Sequence, residues 1–108
     1  MCEYLSLYFG NDGYVVRCKQ CGLYQLAFMC IVITLTHEDF LAFCRIVKRK
    51  YEVADYTYSE HSKCIFIRTP AEGISFLLTK SEIKRFAEIL EEADNEAKAL
   101  CLLSLFNQ

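Results

Sequence analysis

The sequence lacks most of the features that announce a chemistry. It has no Gly-rich phosphate loop, no nucleophile motif and no paired-carboxylate signature, so no familiar catalytic class is signalled. Basic charge is not in excess. Twelve Lys and Arg stand against 14 Asp and Glu, for a net charge of −2, and a nucleic-acid partner would require a basic patch that this balance does not supply. The small clusters Arg17-Lys19 and Lys48-Arg49-Lys50 read as solvated faces. No apolar run is long enough to span a membrane. The longest, Leu23 to Leu35, has 13 residues and contains Gln25 and Thr34, whereas a spanning helix needs about 20. The start, Met1-Cys2-Glu3-Tyr4, has no basic stretch leading into an apolar one, so the expected compartment is the cytoplasm. Trp is absent, but Tyr and Phe are abundant.

What the chain has in quantity is apolar residues and cysteine. Hydrophobic residues make up 54% of 108, enough to build a core in one domain covering 1–108. The seven cysteines are an odd number in a reducing compartment. That argues against a disulfide framework and for buried thiols or metal ligands.

Hydropathy patterning gives the elements. Cys2 to Phe9 alternates loosely and reads as a strand. Gly10-Asn11-Asp12-Gly13 is a turn signal, and Tyr14 to Cys18 returns as a second strand. After the reversal at Cys18-Lys19-Gln20-Cys21-Gly22, the β-branched stretch Leu23 to Leu35 reads as one strand bent near Met29-Cys30. Thr36 caps a helix, with Asp39 at its third position. Phe40, Phe43, Cys44, Val47 and Tyr51 form its apolar stripe. A polar loop follows from Glu52 to Ser62, in which Tyr56 and Tyr58 are candidates to pair with a neighbour. Cys64 to Arg68 and Ile74 to Leu78 form a hairpin, and Thr79 caps a second helix. The expectation is an α+β fold: an antiparallel sheet with two helices on one face, made of two β-β-α units about 43 residues apart. The offset aligns Thr36 with Thr79, Asp39 with Glu82, Phe40 with Ile83 and Phe43 with Phe86.

The same offset sharpens the cysteine pattern. It lays Cys18-x-x-Cys21 over His61-x-x-Cys64, each pair just ahead of a strand. Three thiolates and an imidazole are an ordinary tetrahedral zinc set, so Cys18, Cys21, His61 and Cys64 are the candidate metal ligands. Cys2 is an alternative, because a first hairpin turning at Asn11-Asp12 sets it opposite Cys21. The four-ligand set carries a condition: the two units must lie side by side, since a twofold through the sheet centre would send the two pairs to opposite ends. Cys30, Cys44 and Cys101 fall on apolar faces and read as core. A redox role for the CxxC fails on context, because Gly22 and a β-pattern follow it where a helix N-terminus would lower the thiol pKa. His37-Glu38-Asp39 is explained by helix capping.

The second helix runs from Ser81 toward Phe106. One unbroken helix of that length, about 39 Å, would overhang a domain of this size; the alternative is a break near Asp94-Asn95. Its end, Leu100-Cys101-Leu102-Leu103-Ser104-Leu105-Phe106, is apolar on nearly every side. Such a run either folds back or meets a partner, and the expectation is a homodimer or protein contact through Leu100, Leu103 and Phe106.

Cys18-Lys19-Gln20-Cys21, followed by Tyr24-Gln25-Leu26-Ala27-Phe28 and then by Leu35 and Asp39-Phe40, resembles a family of small bacterial proteins of unknown function. Its members carry a CxxC, a strand ending in an "LxFG"-like turn, and an amphipathic helix. This sequence departs at Met29-Cys30, where the family pattern has a Gly-containing turn. The resemblance implies a bacterial cytoplasmic origin and no established activity. The function expected from these features together is a non-enzymatic interaction or accessory module, zinc-stabilised if the knuckles meet. The alternative is a thiol- or metal-dependent enzyme using Cys18 and Cys21.

Overall fold

The computed structural model describes residues 3–53 and 61–106. Strand β1 (Tyr4–Gly10) turns through Asn11-Asp12 into β2 (Gly13–Cys18). The register pairs Gly10 with Gly13 and Phe9 with Tyr14, then slips by one residue between Ser6 and Tyr8. That bulge leaves Leu7 without a partner in the ladder and buried in the core. Gly13 is fixed by close approach: a Cβ there would stand 2.0 Å from the carbonyl oxygen of Ala27 on the next strand.

The stretch expected as one bent strand is instead a hairpin, β3 (Tyr24–Phe28) and β4 (Ile31–Leu35), reversing at Met29-Cys30. Met29 takes the positive φ of 59° that the tight turn demands. The four strands form one antiparallel sheet in the order β1-β2-β3-β4. Helix α1 (His37–Glu52) follows, capped by the Thr36 hydroxyl, which accepts from the Asp39 amide at 3.1 Å. Strands β5 (Ile65–Arg68) and β6 (Ser75–Leu78) pair as a separate two-stranded sheet, so the β-structure is divided rather than joined in a single sheet. Helix α2 (Lys80–Phe106) closes the described chain. Thr79 and Glu82 form a reciprocal capping box ahead of it. The fold is α+β, with a strand hairpin leading into a helix twice and the two helices starting 43 residues apart. Tyr56 and Tyr58 lie outside the described residues.

Both helices cover one face of the four-stranded sheet. Tyr24 and Phe28 share a face of β3; Tyr24 stacks on Phe40 of α1 at 4.2 Å and Phe28 on Phe86 of α2 at 4.2 Å. Phe86 also meets Phe43 of α1 and Phe76 of β6. One aromatic cluster therefore joins both helices, the main sheet and the small hairpin. Truncating a fully buried Phe such as Phe86 costs about 3–5 kcal/mol in settings of this kind, so this cluster dominates the packing energy that binds the hairpin to the rest.

The helices begin at opposite ends of the sheet. The row Arg17–Tyr24–Leu35 defines one end, beside the CxxC turn, and α1 starts there. The row Gly10–Gly13–Phe28–Ile31 defines the other, and α2 starts there. Arg85 secures that second junction, donating from Nε to Asp12 Oδ2 at 2.5 Å and from Nη2 to the Tyr8 hydroxyl. Lying against each other along their lengths, the two helices are antiparallel. α2 enters at the turn end and leaves at the CxxC end.

Candidate interaction surface

The cysteine constellation divides along this axis. Cys18 ends β2 and is 2% exposed, and its Sγ accepts from the Cys21 amide at 3.4 Å. Cys21 is exposed in the turn, which closes through the Gly22 amide on the Cys18 carbonyl at 3.0 Å. Cys64 is also exposed, but it directly precedes β5, whose Ile65 pairs with Leu78 just ahead of α2. Its neighbour Lys63 donates to Glu82 in the first turn of α2 at 2.5 Å. The His61-x-x-Cys64 segment is thereby held toward the far end of the sheet. Five residues of β2 separate Gly13 at that end from Cys18, about 17 Å at strand rise. Among the described residues no three His, Cys, Asp or Glu side chains stand together as a metal-binding group. Cys18 and Cys21 thus stand at one end of the sheet and the His61-x-x-Cys64 segment toward the other. Cys2 lies outside the described residues.

The three cysteines read as core fare differently from one another. Cys44 is half-buried, and burial above all pushes its thiol pKa up to about 12, with Asp94 adding to the shift. A thiol shifted in that direction favours its protonated form at neutral pH. Cys30 and Cys101 are exposed, a correction to their expected burial: Cys30 occupies the unforeseen β3–β4 turn, and Cys101 lies where α2 has outrun the core.

A polar contact at the CxxC end was not foreseen. The hydroxyl of Tyr24, a residue only 1% exposed, lies 2.9 Å from His37 Nδ1, and the Arg17 guanidinium covers the Tyr24 ring at 4.9 Å. Burial raises the Tyr24 pKa above its ordinary value. The signal was available in outline, because Tyr24 heads β3 and His37 opens the helix that β4 feeds. This contact ties the start of α1 to the sheet.

Two surface features belong to the helices. α2 is unbroken at Asp94-Asn95, where Lys98 pairs with Asp94 at 3.0 Å. Its 27 residues run about 40 Å along a molecule of 52 × 27 × 25 Å. Ile83, Phe86, Ile89, Leu90 and Ala93 are buried, and Ala97 and Leu100 are partly covered by the core. Beyond Leu100 the cover stops. Leu102 and Leu103 are each 57% exposed, Leu105 59% and Phe106 83%. Beside them, α1 and α2 frame a groove of about 560 Å³. Its lining is mostly polar: Arg45, Lys48 and Glu52 from α1 and Glu88, Glu91, Asp94, Asn95 and Lys98 from α2 stand among the apolar Leu41, Cys44, Tyr51, Ala87 and Leu90.

Among the described residues no helix is long and apolar enough to cross a membrane. Residues 1–106 match DUF6686, a family of unknown function, and the chain belongs to that family. No match was found among curated proteins or among solved structures.

Proposed function

We propose that this member of a family without an assigned function is a non-catalytic interaction module that works as a homodimer through the far end of α2. The observation that carries the reading is the overhang itself. Leu102, Leu103, Leu105 and Phe106 stand in solvent on a helix whose earlier turns are packed. Contiguous exposed apolar surface of this kind marks association sites in proteins. The burial of Cys18 supports a structural role for that thiol over a catalytic one.

The test is self-association of the native chain against a Leu103→Asp, Phe106→Asp double variant, followed by light scattering. The native chain should form a dimer. The variant should be monomeric with an unchanged far-ultraviolet circular dichroism spectrum, because both positions lie outside the core. Equal masses for the two proteins would sink the reading.

A zinc knuckle at Cys18 and Cys21 is a second reading, favoured by the Cys21 amide directed at the Cys18 sulfur. Such N–H donation supports a thiolate ligand. The pair needs two further ligands; His61 and Cys64 are the candidates, with Cys2 as an alternative. Metal analysis of protein purified without chelator should find about one zinc per chain on this reading, and a Cys21→Ser variant should lose it. Metal-free native protein removes the reading.

A further inference from the structure

We infer that Cys18 and Cys21 form a peroxide-responsive thiol pair, in which the exposed Cys21 meets the oxidant and the sheltered Cys18 closes an intrachain disulfide with it. The inference assigns a modification site to the β2–β3 turn and is independent of the homodimer reading.

The turn builds the pair. The Cys18 amide donates to the Leu23 carbonyl at 2.9 Å and the Gly22 amide to the Cys18 carbonyl at 3.0 Å, so residues 18–23 close into a compact loop. The first and fourth residues of a closed turn have Cα atoms within about 7 Å, and a disulfide joins Cα atoms roughly 4.4–6.8 Å apart. The Cys18 sulfur lies over the loop rather than away from it, since it accepts from the Cys21 amide at 3.4 Å. The Cys21 side chain hangs from the Cα next to that same amide nitrogen. Rotation about its χ1 torsion therefore brings the Cys21 sulfur toward the Cys18 sulfur without rebuilding the backbone.

The two sulfurs differ in access, and that divides their roles. Cys21 is exposed, whereas Cys18 is 2% exposed. A dissolved hydroperoxide reaches only the Cys21 sulfur of this pair. That sulfur, as thiolate, attacks one peroxide oxygen and the O–O bond breaks. Cys21 becomes a sulfenic acid, and the other oxygen leaves, protonated, as water or an alcohol. Cys18 then attacks the Cys21 sulfur. The S–S bond forms, the S–OH bond breaks, and the hydroxide leaves as water with the Cys18 thiol proton. The two thiols lose the two electrons that the peroxide gains. Burial does not hinder the second step, because its partner belongs to the same turn. The Cys21 N–H also supports negative charge on the Cys18 sulfur as it attacks. The pair is not an exchange catalyst, since strand β3 follows the turn where a catalytic CxxC has a helix N-terminus. It is a target of oxidation.

Thiol mapping tests the inference on the full chain, stripped of metal with a chelator so that the zinc reading is tested separately. The chain is pulsed with one equivalent of hydrogen peroxide, its free thiols are alkylated, and it is digested without a cut between residues 18 and 21. The result expected is a peptide lighter by two hydrogens that resists alkylation and regains both thiols with dithiothreitol. Exposed Cys30, Cys64 and Cys101 serve as internal controls and should remain alkylatable. Cys18→Ser should leave a Cys21 sulfenic acid that dimedone captures, and Cys21→Ser should leave Cys18 unoxidised at the same dose. Circular dichroism verifies both folds, and the map of the native chain stands by itself if a variant fails to fold. Alkylation of both Cys18 and Cys21 after the pulse would overturn the inference, as would a Cys21 joined to any other cysteine.

Discussion

Met29 shows how one residue redirects a stretch of chain. The φ of 59° belongs to the left-handed region, where a side chain with a Cβ is strained by about 1–2 kcal/mol. The Met29 amide donates to the Asp12 carbonyl at 3.3 Å, tying this turn to the neighbouring hairpin. Met29→Gly relieves the strain at the expense of a more flexible unfolded chain. The expected net effect is a gain of about 0.5–1 kcal/mol in unfolding free energy. A urea midpoint that falls on this substitution would show that the Met29 side chain contributes packing that outweighs the strain. The same residue explains why the hairpin was illegible. Turn chemistry is read from Gly, Asn, Asp and Pro, and Met29-Cys30 offers none of them. A weaker signal was present in the parity of the core positions. Tyr24, Leu26 and Phe28 point inward at even numbers, Ile33 and Leu35 at odd ones, and an unbroken strand cannot change parity.

At the scale of elements, the helix starts were the most legible part of the chain. Thr36 and Thr79 cap as their sequence contexts require, and the α1 stripe of Phe40, Phe43 and Val47 is buried as its spacing dictates. Two carboxylates at the α2 end of the sheet carry the acid response of this packing. Asp12 is held below its ordinary value chiefly by the hydrogen bond from Arg85, helped by Tyr8 and opposed by burial. At Glu82, partial burial pulls the pKa up, but hydrogen bonds from Lys63 and the Thr79 amide outweigh it, and the net direction is down. Both groups bind a proton more weakly in the folded chain than in the unfolded one. Their contribution to stability is therefore full above their ordinary values of 3.8 and 4.5 and is lost as pH falls through the lower folded values. Urea midpoints measured from neutral pH into this range should drop, and an Asp12→Asn, Glu82→Gln variant should start lower at neutral pH and show a shallower drop. An acid limb of unchanged slope in that variant would assign the response to other carboxylates.

At the scale of the whole molecule, the antiparallel placement of the helices sets how the two hairpin-helix halves lie. It puts the CxxC turn and Cys64 toward opposite ends of the sheet. An internal offset of 43 residues aligns caps and stripes, but it holds no information on whether two units lie side by side or inverted. That depends on packing between elements distant in sequence, here on Arg85 reaching Asp12 and on the Phe28, Phe43, Phe76 and Phe86 cluster. For α2, length alone left two outcomes, an overhang or a break near Asp94-Asn95, and the helix is unbroken and overhangs. The homodimer proposed from it is tested most directly by sedimentation equilibrium of the native chain over a dilution series. A species of twice the 12.5 kDa chain mass that dissociates only on dilution is the result predicted. A 12.5 kDa species at every concentration would contradict it.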